Sequence, residues 1–298
     1  DGVLGLLGCP LQQLHGVTLS LMQSIAIVNQ KGGVGKTTIT LGIAEAAAAS
    51  GLRVLVVDLD PQANASSGLG VWNGTPSIDD VMSEARAGSA LEAICSSRWP
   101  QDGPIPDLIP GSHLLASREP LLAADPVGAQ DRMRLALAGV GHDLVLIDCP
   151  PSLGLLSING LFAADRAVIV TEPAAWAADG VDLMHNTVER VSGRLGTPRL
   201  AGIVANRVGR TRDNRYWSEQ LEERFGTMLL PQIQLRAAIA EASGQSTTLR
   251  ALGKRPGAAE AAAQFDALWV ELGRDLSLRE SIGRPERAFE TPSTTIES

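Results

Sequence analysis

One stretch near the start of the chain restricts the possible folds more than any other. Ser24-Ile25-Ala26-Ile27-Val28-Asn29 is a short apolar run with β-branched residues, and Ile39 to Ser50 is rich in strong helix formers. Between them lies Gln30-Lys31-Gly32-Gly33-Val34-Gly35-Lys36-Thr37-Thr38. The order is strand, glycine loop, helix. In that setting glycines let successive backbone N–H groups converge on one anion, and the helix N-terminus adds its positive end. Gly35-Lys36-Thr37 fits the end of the phosphate-loop pattern G-x-x-x-x-G-K-[ST], with Lys36 aimed at β- and γ-phosphates and the Thr37 hydroxyl available to Mg2+. The first glycine of the pattern falls at position 30, which is Gln, and a second lysine stands at 31. An ordinary glycine turn before a helix would explain the glycines, but neither the paired lysines nor the hydroxyl.

Beyond this unit, short apolar runs alternate with helical stretches. Strands are predicted at 53–58, 143–148, 167–171 and 200–206, with shorter ones at 108–109 and 228–230. Helices are predicted from Ser77-Ile78-Asp79-Asp80 and over 181–195, 213–225 and 258–272. Residues 63–76 read as loop, and 88–130 as two or three short helices interrupted by Pro100, Pro104, Pro106 and Pro110. Alternation of this kind implies an α/β fold, a mostly parallel sheet with helices on both faces. Aromatic residues are only 3%, so the core must be Leu, Ile, Val and Ala. One domain is expected over 22–276. Residues 1–21 have no basic start that a secretory signal would need and are expected to be a disordered extension ahead of Met22. Residues 277–298, polar and broken by Pro285 and Pro292, are expected to be a disordered tail.

Three cysteines, Cys9, Cys95 and Cys149, form no C-x-x-C pair, which suits a reducing cytosol and suggests neither disulfides nor zinc. The four histidines lack metal-ligand spacing and read as structural or surface residues. No apolar run approaches the roughly 20 residues needed to cross a bilayer. The net charge of −8 means that contact with nucleic acid would have to come from a local patch.

Two further strand ends are acidic: Asp58-Leu59-Asp60-Pro61-Gln62 and Asp148-Cys149-Pro150-Pro151-Ser152-Leu153-Gly154. Ligands bind at the carboxyl edge of such sheets. A lone Asp there would be read as a turn former, whereas three beside a phosphate loop point to chemistry. The trio K-G-G-V-G-K-T-T, D-x-D-P-Q and D-x-P-P-S-L-G, in this order over about residues 23–273, resembles the deviant Walker A P-loop ATPases, and among them the ParA-type partition proteins. The resemblance implies ATP and Mg2+ as cofactors. It implies a nucleotide site of Lys31, Gly32, Gly33, Val34, Gly35, Lys36, Thr37 and Thr38, with Thr37, Asp58 and Asp148 at the metal and Asp60 orienting the attacking water. Lys36 then sits on the phosphates, and Lys31 crosses to the nucleotide of a second subunit in an ATP-dependent homodimer. Asn206 resembles the family asparagine that meets adenine, although Asn is also a common turn residue at a strand end. The turn at Leu230 to Gln232 is a second candidate for the base.

Arg207, Arg210, Arg212 and Arg215 put four arginines in nine residues of an acidic chain. Such a run is often no more than a solvated loop. The resemblance implies nonspecific DNA binding in this neighbourhood and after the late proline, at Arg236, with Arg250, Lys254 and Arg255 as further candidates. It also implies a ParB-like centromere-binding partner and a cytoplasmic, nucleoid-associated location. The chain departs from many relatives at Ala63, where they have Gly, and between Pro231 and Glu241-Ala242, which are further apart here. A MinD-like membrane-cycling ATPase is the alternative; those proteins end in a basic amphipathic helix, which this tail does not resemble, so no membrane contact is expected. A nitrogenase-reductase-like enzyme would need a set of cluster-binding cysteines that the D-C-P-P turn does not supply.

Overall fold

The computed structural model describes residues 22–276 other than 101, 102 and 126; the expectations for residues 1–21 and 277–298 lie outside them. The chain runs through β1 (Gln23–Val28), α1 (Lys36–Ala49), β2 (Val54–Asp58), α2 (Asn64–Gly68), α3 (Ile78–Glu84), β3 (Cys95–Ser96), β4 (Asp107–Ile109), α4 (Leu115–Ala123) and α5 (Arg132–Ala136). It continues through β5 (Leu144–Asp148), α6 (Leu155–Phe162), β6 (Arg166–Thr171), α7 (Ala177–Leu195), β7 (Arg199–Ala205), α8 (Arg212–Phe225), α9 (Ala237–Gly244) and α10 (Ala258–Asp275). The seven strands form one sheet in the order β3-β4-β2-β5-β1-β6-β7. All neighbours are parallel except the short β3–β4 pair.

Side chains alternate across the pleat, and each central strand feeds two cores. Ile25 and Ile27 of β1, Val54 and Val56 of β2, and Leu144 and Leu146 of β5 pack with α1, α9 and α10. Ala26 and Val28, Leu55 and Val57, and Val145 and Ile147 pack on the other face with α3, α5, α6 and α7. Burial on both faces explains why these strands read as unbroken apolar runs.

Local chemistry accounts for where elements begin. Ser77 and Asp80 form a reciprocal capping box on α3, the signal legible in the sequence. Residues 63–76 were expected to be loop but hold the short helix α2, whose preceding residue Ala63 has φ 52°. The left-handed region favours glycine, so the departure at Ala63 carries backbone strain. The strand expected at 228–230 is reduced to a single parallel bridge between Leu229 and Ile203, because a 3-10 turn occupies Gly226–Met228.

The first helix is buried almost all round, between the sheet on one side and α10 on the other. Gly42 faces the ring of Phe265 so closely that a Cβ there would lie 2.1 Å from a ring carbon. Glu45, also buried, accepts the backbone N–H groups of Leu249 and Arg250 at 3.0 Å and the Arg250 guanidinium at 3.1 Å, which fixes the segment ahead of α10.

In an exposed helix, Gly→Ala would add up to about 1 kcal/mol of stability. At Gly42 the overpacking against Phe265 outweighs that gain, since forcing extra atoms into a packed core costs about 1–3 kcal/mol. Gly42→Ala is therefore expected to lower the denaturation midpoint in urea without changing the slope; an unchanged or raised midpoint would show that the α1–α10 contact is looser than described.

Candidate functional site

At the carboxyl edge of the sheet, strand register brings the acidic ends together. Asp148 lies level with Ile27 on one side and Asp58 on the other. The loop after β1 passes over this edge. Asn29, buried at its start, donates from Nδ2 to the Val170 carbonyl at 2.6 Å and accepts the Lys31 N–H at 3.0 Å, anchoring the loop to β6. Gly35 opens α1 in the left-handed region (φ 89°) and presses on Asn206, whose Nδ2 would lie 2.1 Å from a Cβ there. Conformation and close approach both require glycine at this position.

Lys36 enters α1 buried, with its Nζ 3.4 Å from the Lys31 carbonyl. Burial holds its pKa below the usual lysine value, against the pull of Asp148 and Asp60. Thr37 donates its hydroxyl to Asp148 Oδ2 at 2.6 Å, and Thr40 donates to Oδ1 at 3.1 Å. An open pocket of ≈ 520 Å³ is lined by the loop from Gly33 to Thr38, by Asp60, Gln62, Pro151 and Arg207, and by Ser243 and Gly244.

These residues fit Mg2+. A hydroxyl at the start of the helix backed by a carboxylate suits an ion that keeps most of its waters and takes one or two protein oxygens beside phosphates. Among the described residues there is no cluster of three or more His, Cys, Asp or Glu that could hold a metal alone. Asp148 lies behind Thr37, accepting its hydroxyl. Asp60, nearly buried, accepts the Gln62 N–H at 2.9 Å and faces the pocket. Asp58 has a second employment that the sequence did not suggest. Its Oδ2 accepts both the N–H (2.7 Å) and the hydroxyl (2.6 Å) of Ser66, and that hydroxyl accepts the Gly111 N–H at 2.7 Å. One of its oxygens thus folds the turn between β2 and α2.

The remaining expected residues divide. Lys31 is exposed, and its ammonium makes no hydrogen bond or ion pair among the described residues. Asn206 is buried, donating to the Val34 carbonyl at 2.8 Å, so it braces the loop from behind. Arg207 is tied to the loop through the Gly33 carbonyl at 2.6 Å, with Glu172 at 3.6 Å. Arg210, Arg212 and Arg215 are exposed at the start of α8 and form no ion pair among the described residues. Arg236, by contrast, is half-buried and donates to Gln234 at 2.9 Å, while its Nε is buried without a partner. Arg250 and Arg255 are paired with Glu45 and Asp266 and with Glu241. Asn29, Thr40 and Glu172 were not among the expected residues; for Asn29 and Glu172 the available signal was a polar residue following an apolar strand, and Thr40, inside α1, had none.

Buried side by side, Asp58 and Asp148 are pushed up from the ordinary 3.8 to about 6 and about 7, first by desolvation. Folding thus raises both values, and the Mg2+-free folded chain binds more protons than the unfolded one between about pH 4 and pH 7. Its stability from this pair is present at the acid end and is lost as pH rises through that window. Asp148→Asn should raise the melting temperature at pH 8 in EDTA, by roughly 2–4 °C per kcal/mol of penalty relieved. It should flatten the fall between pH 5 and pH 8 and abolish Mg2+-dependent nucleotide binding. A wild-type melting curve that does not move with pH would contradict this account.

A family profile described as AAA domain matches residues 22–199. In sequence the chain is similar to the chromosome-partitioning ATPase Soj of Thermus thermophilus, 38% identical over 209 residues that cover 69% of this chain and 78% of Soj. In structure it is similar to an ATP complex of a Cyanothece McdA variant (TM-score 0.72, 22% identical, covering 85% of this chain and 96% of McdA). It is also similar to the septum site-determining protein MinD of Pyrococcus horikoshii complexed with Mg-ADP (TM-score 0.65, 23% identical, covering 88% of this chain and 98% of MinD). The structural likenesses speak for the fold alone. Because the profile spans more than half of the chain and the Soj alignment more than two thirds of Soj, the chain belongs to the ParA/MinD family of P-loop ATPases.

Proposed function

We propose that this ATPase is a DNA-partition switch. ATP binding assembles a homodimer that holds DNA without sequence preference, and hydrolysis stimulated by a ParB-like partner lets the DNA go. The observation that carries the DNA half is the exposed Arg210, Arg212 and Arg215 at the head of α8, unpaired among the described residues in a chain of net charge −8. Arginine contacts to phosphate are indifferent to sequence and weaken steeply with salt, as a reversible hold on any DNA requires. The dimer half rests on Lys31, a cation at the rim of the phosphate loop whose ammonium is free to reach a nucleotide on a facing copy.

Phosphoryl transfer to water needs positioning and charge neutralisation more than covalent chemistry. Lys36 and the N-terminus of α1 neutralise the phosphates, and Asp60 orients the attacking water. Thr37, with Asp148 accepting its hydroxyl, would hold Mg2+, which would supply further neutralisation of phosphate charge. With Lys31 contributed by the second subunit, the active site is complete only in the dimer, and cleavage removes the phosphate that held the two halves together. The protein works at the nucleoid in the cytoplasm, and no helix among the described residues is long and apolar enough to cross a membrane.

ATP-dependent binding to plasmid DNA at low salt, followed by titration of salt, tests this reading. Reversing Arg210 and Arg212 to Glu should weaken binding at least tenfold and reduce the slope of log affinity against log salt by roughly one for each arginine that meets a phosphate. Lys31→Ala should keep nucleotide binding while losing the ATP-dependent dimer and stimulated hydrolysis. Recruitment to liposomes with ATP, and no binding to DNA, would move the chain to the MinD-like alternative.

A further inference from the structure

Arg207 stands among the arginines of the 207–215 run, yet its surroundings differ from theirs. It follows buried Asn206 directly after β7, and its own φ is 54°. A non-glycine residue in the left-handed region persists only where its neighbours hold it there, and such residues gather at functional sites. Here the neighbours are the phosphate loop and the residue that follows β6. Arg207 Nη1 donates to the Gly33 carbonyl at 2.6 Å and lies 3.6 Å from Glu172 Oε2, just past the end of β6.

The neighbouring bond completes the pattern. Asn206 Nδ2 donates to the Val34 carbonyl at 2.8 Å. Two consecutive residues after β7 therefore hold two consecutive carbonyls of the phosphate loop. A trans peptide is planar, so its C=O and the following N–H point in opposite directions. Pinning the Gly33 and Val34 carbonyls towards β7 fixes the N–H groups of Val34 and Gly35 away from it, as an amide cradle for phosphate requires. Glycines at 32, 33 and 35 make this loop the most deformable part of the site, so its shape must be imposed from outside. Asn206 imposes it from a buried position. Arg207 does so from the rim of the pocket, where its charge is steadied by Glu172.

We infer that Arg207 is a positioning residue for nucleotide binding, with Glu172 as its counter-ion, and that it is not a DNA contact. The inference goes beyond the partition reading and rests on the phosphate site alone. Phosphates meet the oriented amides in the ground state as well as in the transition state, so losing the brace removes uniform binding: KM rises and kcat changes little. Lysine at 207 keeps the charge but not the planar guanidinium whose Nη1 meets both the Gly33 carbonyl and Glu172.

The test uses the full chain, MgATP turnover and the Kd of a non-hydrolysable MgATP analogue. Arg207→Ala should raise both KM and Kd roughly tenfold, with kcat within about twofold and the melting temperature of the nucleotide-free protein unchanged. Arg207→Lys should recover part of that loss, and Glu172→Gln should cost about threefold or less. At saturating nucleotide, Arg207→Ala should leave the salt slope of DNA binding as in wild type, whereas reversal of Arg210 and Arg212 lowers it. An unchanged Kd in Arg207→Ala overturns the inference, and so does a salt slope reduced by about one at saturating nucleotide. If the wild-type protein binds no DNA, the partition reading fails while the nucleotide measurements still decide the role of Arg207.

Discussion

The structure of the nucleotide edge follows from one electrostatic constraint: two carboxylates, Asp58 and Asp148, lie level on adjacent strands at the centre of the sheet, both fully buried. Burying a charge without a partner is costly, so donors gather around them although Asp60 adds a third acid nearby. Thr37 and Thr40 donate to Asp148 from the first turns of α1, which fixes how that helix approaches β5. Ser66 donates twice to Asp58, and its hydroxyl in turn holds Gly111, drawing the turns after β2 and β4 onto the same point. Lys36 is the cation within electrostatic reach of Asp148, and its own burial lowers its pKa. The site without metal is therefore under-neutralised. A divalent cation would offset that imbalance, and would in turn offset the charge of a nucleotide's phosphates.

Much of this was legible from the residues. The strands between 24 and 206 were visible because burial on both faces leaves them no polar alternation, and their acidic last residues marked the functional edge. The capping box at Ser77 and Asp80 is a local signal that needs no tertiary information. Other features were set by contacts distant in sequence. Nothing local says that Asn206 lies behind Val34, 172 residues away, or that Arg207, though exposed, donates to the Gly33 carbonyl of the phosphate loop. Its neighbours in the run, Arg210, Arg212 and Arg215, have the same residue type and the same charged surroundings in sequence. Only the left-handed turn after β7 separates them. Asp58 was legible as an acid at the carboxyl edge of the sheet but not as the organiser of Ser66 and Gly111, because the serine that claims its oxygen lies in a segment whose composition suggested loop.

Strand β7 connects the two halves of the proposed activity. At its end, Asn206 and Arg207 grip the phosphate loop, and three residues further on begins the exposed arginine group at the head of α8. The connection between them is short and well tied. Val208 donates to the Ile233 carbonyl at 3.0 Å, Gly209 to the Asn214 side chain at 2.7 Å, and Asn214 back to the Pro173 carbonyl after β6 at 3.3 Å. A segment with so little slack cannot absorb a displacement at one end without passing it on. In the proposed switch, a shift of the Gly33 or Val34 carbonyl on phosphate binding would have this short path to Thr211, the N-cap of α8, and to the arginines that α8 carries. Coupling of nucleotide to DNA in such an arrangement requires no dedicated relay of side chains, because the shortest path between the two sites is the backbone itself.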